Sequence, residues 1–159
     1  ATIETASRLF SLTGPPALPH PVNGTARQAG IDEVDLVNRW QLDFLHAIGE
    51  QHPVPMDFGP DVQDGRCFFW EVDGQLVSCA FRRATVAGVS RVAGVFTPPD
   101  QRRHGYAGAL VAHISEQIQG GGGIPVLYTD LANPTSNKLY REIGYRPIRD
   151  EATVSFVPR

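Results

Sequence analysis

The sequence predicts one mixed α/β (α+β) domain, and three observations carry that prediction. An apolar, β-branched run at residues 89–97 stops at Pro98-Pro99 and gives way to a helical pattern beginning near Gly105. Proline has no N–H for a sheet ladder, so the run ends there as a strand. The helix leads to a second strand-like run, 124–130. A strand–helix–strand crossover lays the two runs side by side in parallel. Upstream, 66–72 and 75–83 flank Asp73-Gly74, a strong two-residue hairpin signal. An antiparallel meander followed by a parallel step is a mixed sheet.

Taken in order, residues 1–23 carry apolar Leu9, Phe10 and Leu12, followed by GPPALPHP. That proline content favours extended backbone, so 1–23 is expected as a linker or N-terminal extension, with the domain proper at 24–159. Residues 24–29 read as a short strand. Asp32 reads as an N-cap, and Val34, Val37, Trp40, Phe44, Leu45 and Ile48 recur at helical spacing over 33–48. Gly49 ends that helix. Residues 52–65, HPVPMDFGPDVQDG, read as a loop with room for one helical turn. After the hairpin and the 89–97 strand, a helix over 105–119 shows one apolar face through Leu110, Ile114 and Ile118. Gly120 to Gly123 follow a helix and precede a strand, so they read as a cap and a flexible connection. A short helix is expected over 136–143, ended by Gly144, with two closing strands at 145–148 and 152–157.

With 159 residues the chain suits one domain with a core of its own. A net charge of −3 argues against general attraction to nucleic acid or anionic membrane, so any basic site is local. No apolar run approaches a membrane span. The two cysteines, Cys67 and Cys79, lie inside strand-like runs and read as buried hydrophobes of a reducing, cytoplasmic compartment. They offer no zinc spacing, and no metal is expected.

The best local basic feature is Arg102-Arg103-His104, next to Gly105 and Ala107. A helix start leaves backbone N–H groups unpaired at the positive end of the dipole, a ready seat for phosphate. Small residues there let an anion approach the backbone. The spacing Arg102-x-x-Gly105-x-Ala107 resembles the Q/R-x-x-G-x-G/A signature of the GNAT superfamily of acyl-CoA N-acyltransferases. A second segment, TDLANPTSNKLYREIGY over 129–145, resembles the strand, Asn, Leu-Tyr helix and Gly-Tyr of the same family.

That resemblance implies a twisted mixed sheet whose two central parallel strands splay apart, with acetyl-CoA in the V-shaped gap as cosubstrate. It implies that Arg102, Arg103, His104, Gly105, Tyr106, Ala107 and Gly108 hold the pyrophosphate. Val95, Phe96 and Thr97 would pair with the pantetheine amides as a pseudo-strand, and Asn133 would bond the same arm. Tyr140 is the catalytic candidate, as donor to the departing thiolate. Arg103 stands where the family pattern has its first glycine. The function implied is N-acetyl transfer to a primary amine, on a small molecule or a peptide, by direct attack in a ternary complex. Glu50, Glu71 and Asp130 are the candidate carboxylates for a general base, and none is assigned; His104 and His113 are expected to face solvent. No Ser-His-Asp or Cys-His pattern suggests a covalent intermediate. No nucleic-acid or membrane partner is expected, and a homodimer is left open. The alternative is a non-catalytic CoA-binding module acting as sensor or scaffold.

Overall fold

A computed structural model describes residues 2–155. The strands are β1 (Thr2–Ser11), β2 (Thr25–Gln28), β3 (Cys67–Val72), β4 (Gln75–Arg82), β5 (Val89–Phe96), β6 (Ile124–Asp130) and β7 (Arg146–Ser155). The helices are α1 (Val34–Ala47), α2 (Gly59–Gln63), α3 (Tyr106–Gly120) and α4 (Pro134–Ile143). The strands form one sheet in the order β2-β3-β4-β5-β6-β1-β7. Neighbours are antiparallel except β5 and β6, which are parallel as the crossover requires.

Two apolar layers sandwich the sheet. On one face Leu110, Val111, Ile114 and Ile118 of α3 and Tyr140 and Ile143 of α4 pack on Phe10, Leu12, Phe68, Val92 and Leu127. On the other, Val37 of α1, with Trp40 and Phe44 beside it, and Val62 of α2 pack on Phe69, Cys79, Phe81 and Phe96. Both cysteines are buried and free, as expected.

The expectation of a linker over 1–23 is corrected. Residues 2–11 are a strand between β6 and β7, paired on both edges. The local sequence hides this because its polar residues find partners across the sheet. Arg8 sits opposite Asp150 and bonds it at 2.7 Å. The one strand signal is Phe10 and Leu12, two apart and both fully buried. The proline-rich stretch that follows forms no regular element and is a strap across the α3–α4 face. The Gly14 carbonyl accepts from Gln119 of α3, and the Ala17 N–H donates to Ile143 of α4. Val22 packs on the core, and Trp70 Nε1 donates to the Asn23 carbonyl at 2.7 Å before β2 begins.

The two closing strands are one. Arg149-Asp150-Glu151 reads locally as a turn, yet these residues sit opposite Leu9, Arg8 and Ser7 of β1. Residues 156–157 of the expected second strand lie outside the described residues. At the other end, Asp32 is not the cap of α1. A 3-10 turn over Ile31–Glu33 precedes the helix, and Glu33 accepts from the Gly30 N–H at 2.8 Å. Glu33 also takes both terminal nitrogens of Arg27 at 2.7 Å, tying this corner to β2. The loop at 52–65 contains its helical turn, α2.

Candidate functional site

The central feature is the gap between β5 and β6. Their register holds for three rungs, Val89 to Ile124, Ser90 to Pro125 and Arg91 to Val126, and beyond these the strands part. A bulge in β5 accompanies the divergence. Cys79 and Phe81 of β4, two apart, face Phe96 and Ala93, three apart. Side chains follow suit: Val92 and Val95 turn to the α3 face, Ala93 and Phe96 to the α1 face. A step of three where a strand allows two marks one inserted residue. Gly94 sits inside it at φ 61°, a backbone conformation that side chains resist. A Cβ there would overlap the Phe81 ring and Gln41 Oε1. Gln41, buried on α1, clamps the bulge by donating to the Gly94 carbonyl at 2.8 Å.

The resulting cleft has a volume near 1680 Å³ and runs between α1, the start of α3 and α4. Val95, Phe96, Thr97, Arg102, Arg103, Gly105, Tyr106, Ala107, Gly108, Asn133 and Tyr140 all border it. At its mouth Pro98-Pro99 stops β5, a 3-10 turn follows, and Gly105 caps α3 at φ 80° with no side-chain bond. Within α3 the bond from Ala109 N–H to the Gly105 carbonyl is the first. The N–H groups of Tyr106, Ala107 and Gly108 therefore have no partner inside the helix. Gly108 lets α3 approach α4, since a Cβ there would meet Leu139 at 2.9 Å.

The candidate binding residues divide on inspection. Arg102 bonds the Thr97 carbonyl through Nε at 2.9 Å, which fixes the loop and leaves its terminal nitrogens available. Arg103 adopts φ 69°. His104 stays out of the cleft: its ring stacks on Tyr106 at 5.1 Å, and its Nδ1 lies 2.9 Å from the Arg102 carbonyl. The open backbone expected over 95–97 is narrower than the sequence suggests. The Phe96 carbonyl accepts from Ser78 Oγ at 3.0 Å and the Thr97 carbonyl from Arg102. Val95, inside the bulge, has no register partner on β4.

Asn133 is the N-cap of α4, and its side-chain oxygen accepts from the Ser136 N–H at 3.1 Å. The same cap is secured by Asn137, which donates to the Asp130 and Asn133 carbonyls and accepts from Thr129 Oγ1 at 2.8 Å. These bonds hold α4 against the end of β6. They place Tyr140 two turns along, buried, with its ring edge-on to Tyr145 at 6.3 Å. Burial pushes the Tyr140 phenol up to about 12.

Of the carboxylates, Glu50 and Asp130 border the cleft, whereas Glu71 lies on β3 beside Arg27, 3.5 Å away. His113 pairs with Gln117 on the surface of α3. Among the described residues no group of His, Cys, Asp and Glu is placed to hold a metal. No helix there is long and apolar enough to cross a membrane. Sequence reasoning missed Gln41, Gly94 and Asn137, and also Arg83, Arg91 and Tyr128, which border the cleft near its closed end. A glycine inside an apolar strand run is a bulge signal, so Gly94 was within reach.

Comparison with known proteins adds the following. A family model described as FR47-like protein matches residues 74–154. No curated protein matches. Among solved structures, a GCN5-related N-acetyltransferase from Kribbella flavida is 27% identical with a TM-score of 0.68, covering 92% of this chain and 56% of its own. An acetyltransferase of the GNAT family from Colwellia psychrerythraea is 12% identical with a TM-score of 0.73, covering 96% and 56%. The N-acetylglutamate synthase from Neisseria gonorrhoeae, complexed with coenzyme A and N-acetyl-glutamate, is 19% identical with a TM-score of 0.55, covering 65% and 24%. The chain thus spans little more than half the length of the first two. What it shares with them is the GNAT fold.

Proposed function

The chain belongs to the FR47-like family, and on that footing we propose that it is an acetyl-CoA-dependent N-acetyltransferase acting on a primary amine. The observation that supports this most is the parallel pair β5 and β6, joined at three rungs and open beyond them, with an uncapped helix start at the mouth of the gap. The residues suit the cosubstrate. Free amides at Tyr106, Ala107 and Gly108, with Arg102 and Arg103 alongside, form a seat for a pyrophosphate. Val95, with no register partner on β4 or β6, is the place where an amide chain could align with β5. A fold neighbour is known in complex with coenzyme A.

Transfer proceeds by direct attack. The neutral amine nitrogen attacks the thioester carbonyl carbon, a C–N bond forms and the C–S bond breaks. The nitrogen gives up one proton to solvent, and the sulfur leaves as thiolate and takes up a proton. The products are an amide and a free thiol. Buried Cys67, its thiol pushed up to about 12, and Cys79, pushed higher still by burial, are poor nucleophiles, which supports a ternary complex over an acyl-enzyme.

Tyr140 is the group proposed to meet the departing sulfur. Burial pushes the Tyr140 phenol up, so it holds its proton against a departing thiolate. Tyr140 therefore stabilises the thiolate by a hydrogen bond, and solvent supplies the proton.

Thermal unfolding tests the proposal. Acetyl-CoA at one hundred times its Kd stabilises the fold by about 2.7 kcal/mol, a rise in Tm of several degrees for a domain of this size. The Arg102→Ala, Arg103→Ala double variant is expected to lose most of that rise. Absence of any shift at millimolar acetyl-CoA overturns the proposal.

A further inference from the structure

Near the closed end of the cleft two arginines border the same space, Arg83 just past β4 and Arg91 in β5. They are directly opposed, since the Arg83 N–H donates to the Arg91 carbonyl at 2.8 Å. Like charges in that arrangement repel. Each guanidinium rests over an aromatic ring, Arg83 over Phe81 at 5.1 Å and Arg91 over Tyr128 at 4.7 Å. Arg8, Arg27, Arg66 and Arg149 all form ion pairs. Among the described residues Arg83 and Arg91 form none. The acidic side chain facing them is Glu151, already held by Arg149 at 2.7 Å and by the Tyr128 hydroxyl at 3.4 Å. Burial, and then Arg83, hold the Arg91 pKa below the usual guanidinium range.

Two opposed, solvent-exposed cations on flat aromatic supports border this cleft, and the carboxylate beside Arg91, Glu151, is engaged by Arg149; together they form a receptor for a planar anion. A carboxylate between the two forks relieves their repulsion and accepts bidentate hydrogen bonds. Three residues of strand, roughly 10 Å, separate Arg91 from the bulge at Gly94, so a small acceptor fits between the two. We infer that the acceptor of the proposed transfer carries a carboxylate: an amino acid or a similar small amine, held through Arg83 and Arg91. The same pair repels polyamines and other cationic amines. The inference rests on the acyl-transfer function proposed above and names its substrate class.

Kinetics with acetyl-CoA and matched amines test it, using L-lysine against cadaverine and L-phenylalanine against phenethylamine. In at least one pair the amino acid is expected to show a kcat/KM tenfold or more above its decarboxylated partner. The Arg83→Met, Arg91→Met double variant should erase that preference through KM, with the acetyl-CoA shift in Tm unchanged. Arg91→Glu should move preference toward cadaverine, a reversal that a merely structural role would not produce. Equal or better use of the decarboxylated amines, no turnover of either amino acid, or a preference that survives the double variant each overturns the inference. If acetyl-CoA still stabilises the protein in those cases, the acyl-transfer proposal stands; loss of that stabilisation in the unaltered protein sinks the earlier proposal instead.

Discussion

Arg103 holds a left-handed backbone conformation at φ 69°, where a Cβ crowds the neighbouring carbonyl at a cost of about 1–2 kcal/mol. Glycine bears no such strain but gains freedom in the unfolded chain, which offsets roughly half of the benefit. Arg103→Gly is therefore expected to raise stability by about 0.5–1 kcal/mol while reducing the stabilisation given by acetyl-CoA. Urea unfolding with and without acetyl-CoA reads both effects, and a net destabilisation would refute the strain argument. Tyr140 and Tyr145 are both raised by burial from 10.0 to about 12, so the fold favours the neutral phenols. The stability they lend is complete below pH 10 and lost as pH climbs through 12. Tyr140→Phe should make that alkaline fall shallower in a urea midpoint series. It should also lower kcat by roughly tenfold or more, with the acetyl-CoA shift in Tm retained. An unchanged kcat would remove Tyr140 from the chemistry.

Among the elements, β5 sets the shape of the site. Its bulge separates Val92 from Val95 by three positions, and Gln41 holds it from α1. Gly94→Ala adds left-handed strain and a clash with Phe81 and Gln41, together about 3 kcal/mol. The expected outcome is a lower urea midpoint and weaker acetyl-CoA binding. An unfolding free energy within about 0.5 kcal/mol of the parent would show that the bulge tolerates a side chain. The strand and helix periods around this site were legible in the sequence because they are local. Residues 124–130 match β6, the Asp73-Gly74 turn joins β3 to β4, and α3 begins one residue from its expected start. Residues 102–108 and Tyr140 stand out as a motif, and all of them but His104 border the cleft. The interactions that shape the cleft were not legible. Gln41 reaches the Gly94 carbonyl across 53 positions, and Arg83 opposes Arg91 only once the register is set.

For the whole molecule, the decisive element is β1, which local reading assigns to a linker. Phe10 is wholly buried between the sheet and the α3–α4 layer, with the Arg141 guanidinium over its ring at 5.5 Å. Phe10→Ala is expected to cost about 3–5 kcal/mol, read as a fall in the urea midpoint. A linker residue would cost less than about 0.5 kcal/mol, so the experiment separates the two architectures. Residues that look unstructured in isolation, Arg8 and Asp150 among them, are ordered by each other. That kind of pairing leaves no trace in composition or periodicity.

The Arg8–Asp150 contact spans 142 positions, and the slot between β6 and β7 does not exist until residue 146 and those after it have been made. During synthesis residues 2–11 must wait, solvated and unpaired, while almost everything between them and their partners emerges from the ribosome. Closure so distant along the chain is slow, and until it occurs β6 shows an open edge to any neighbouring nascent chain. Yield in the cell should therefore depend on how quickly translation runs through the last strand and on holdase capacity, more than on the stability of the finished protein.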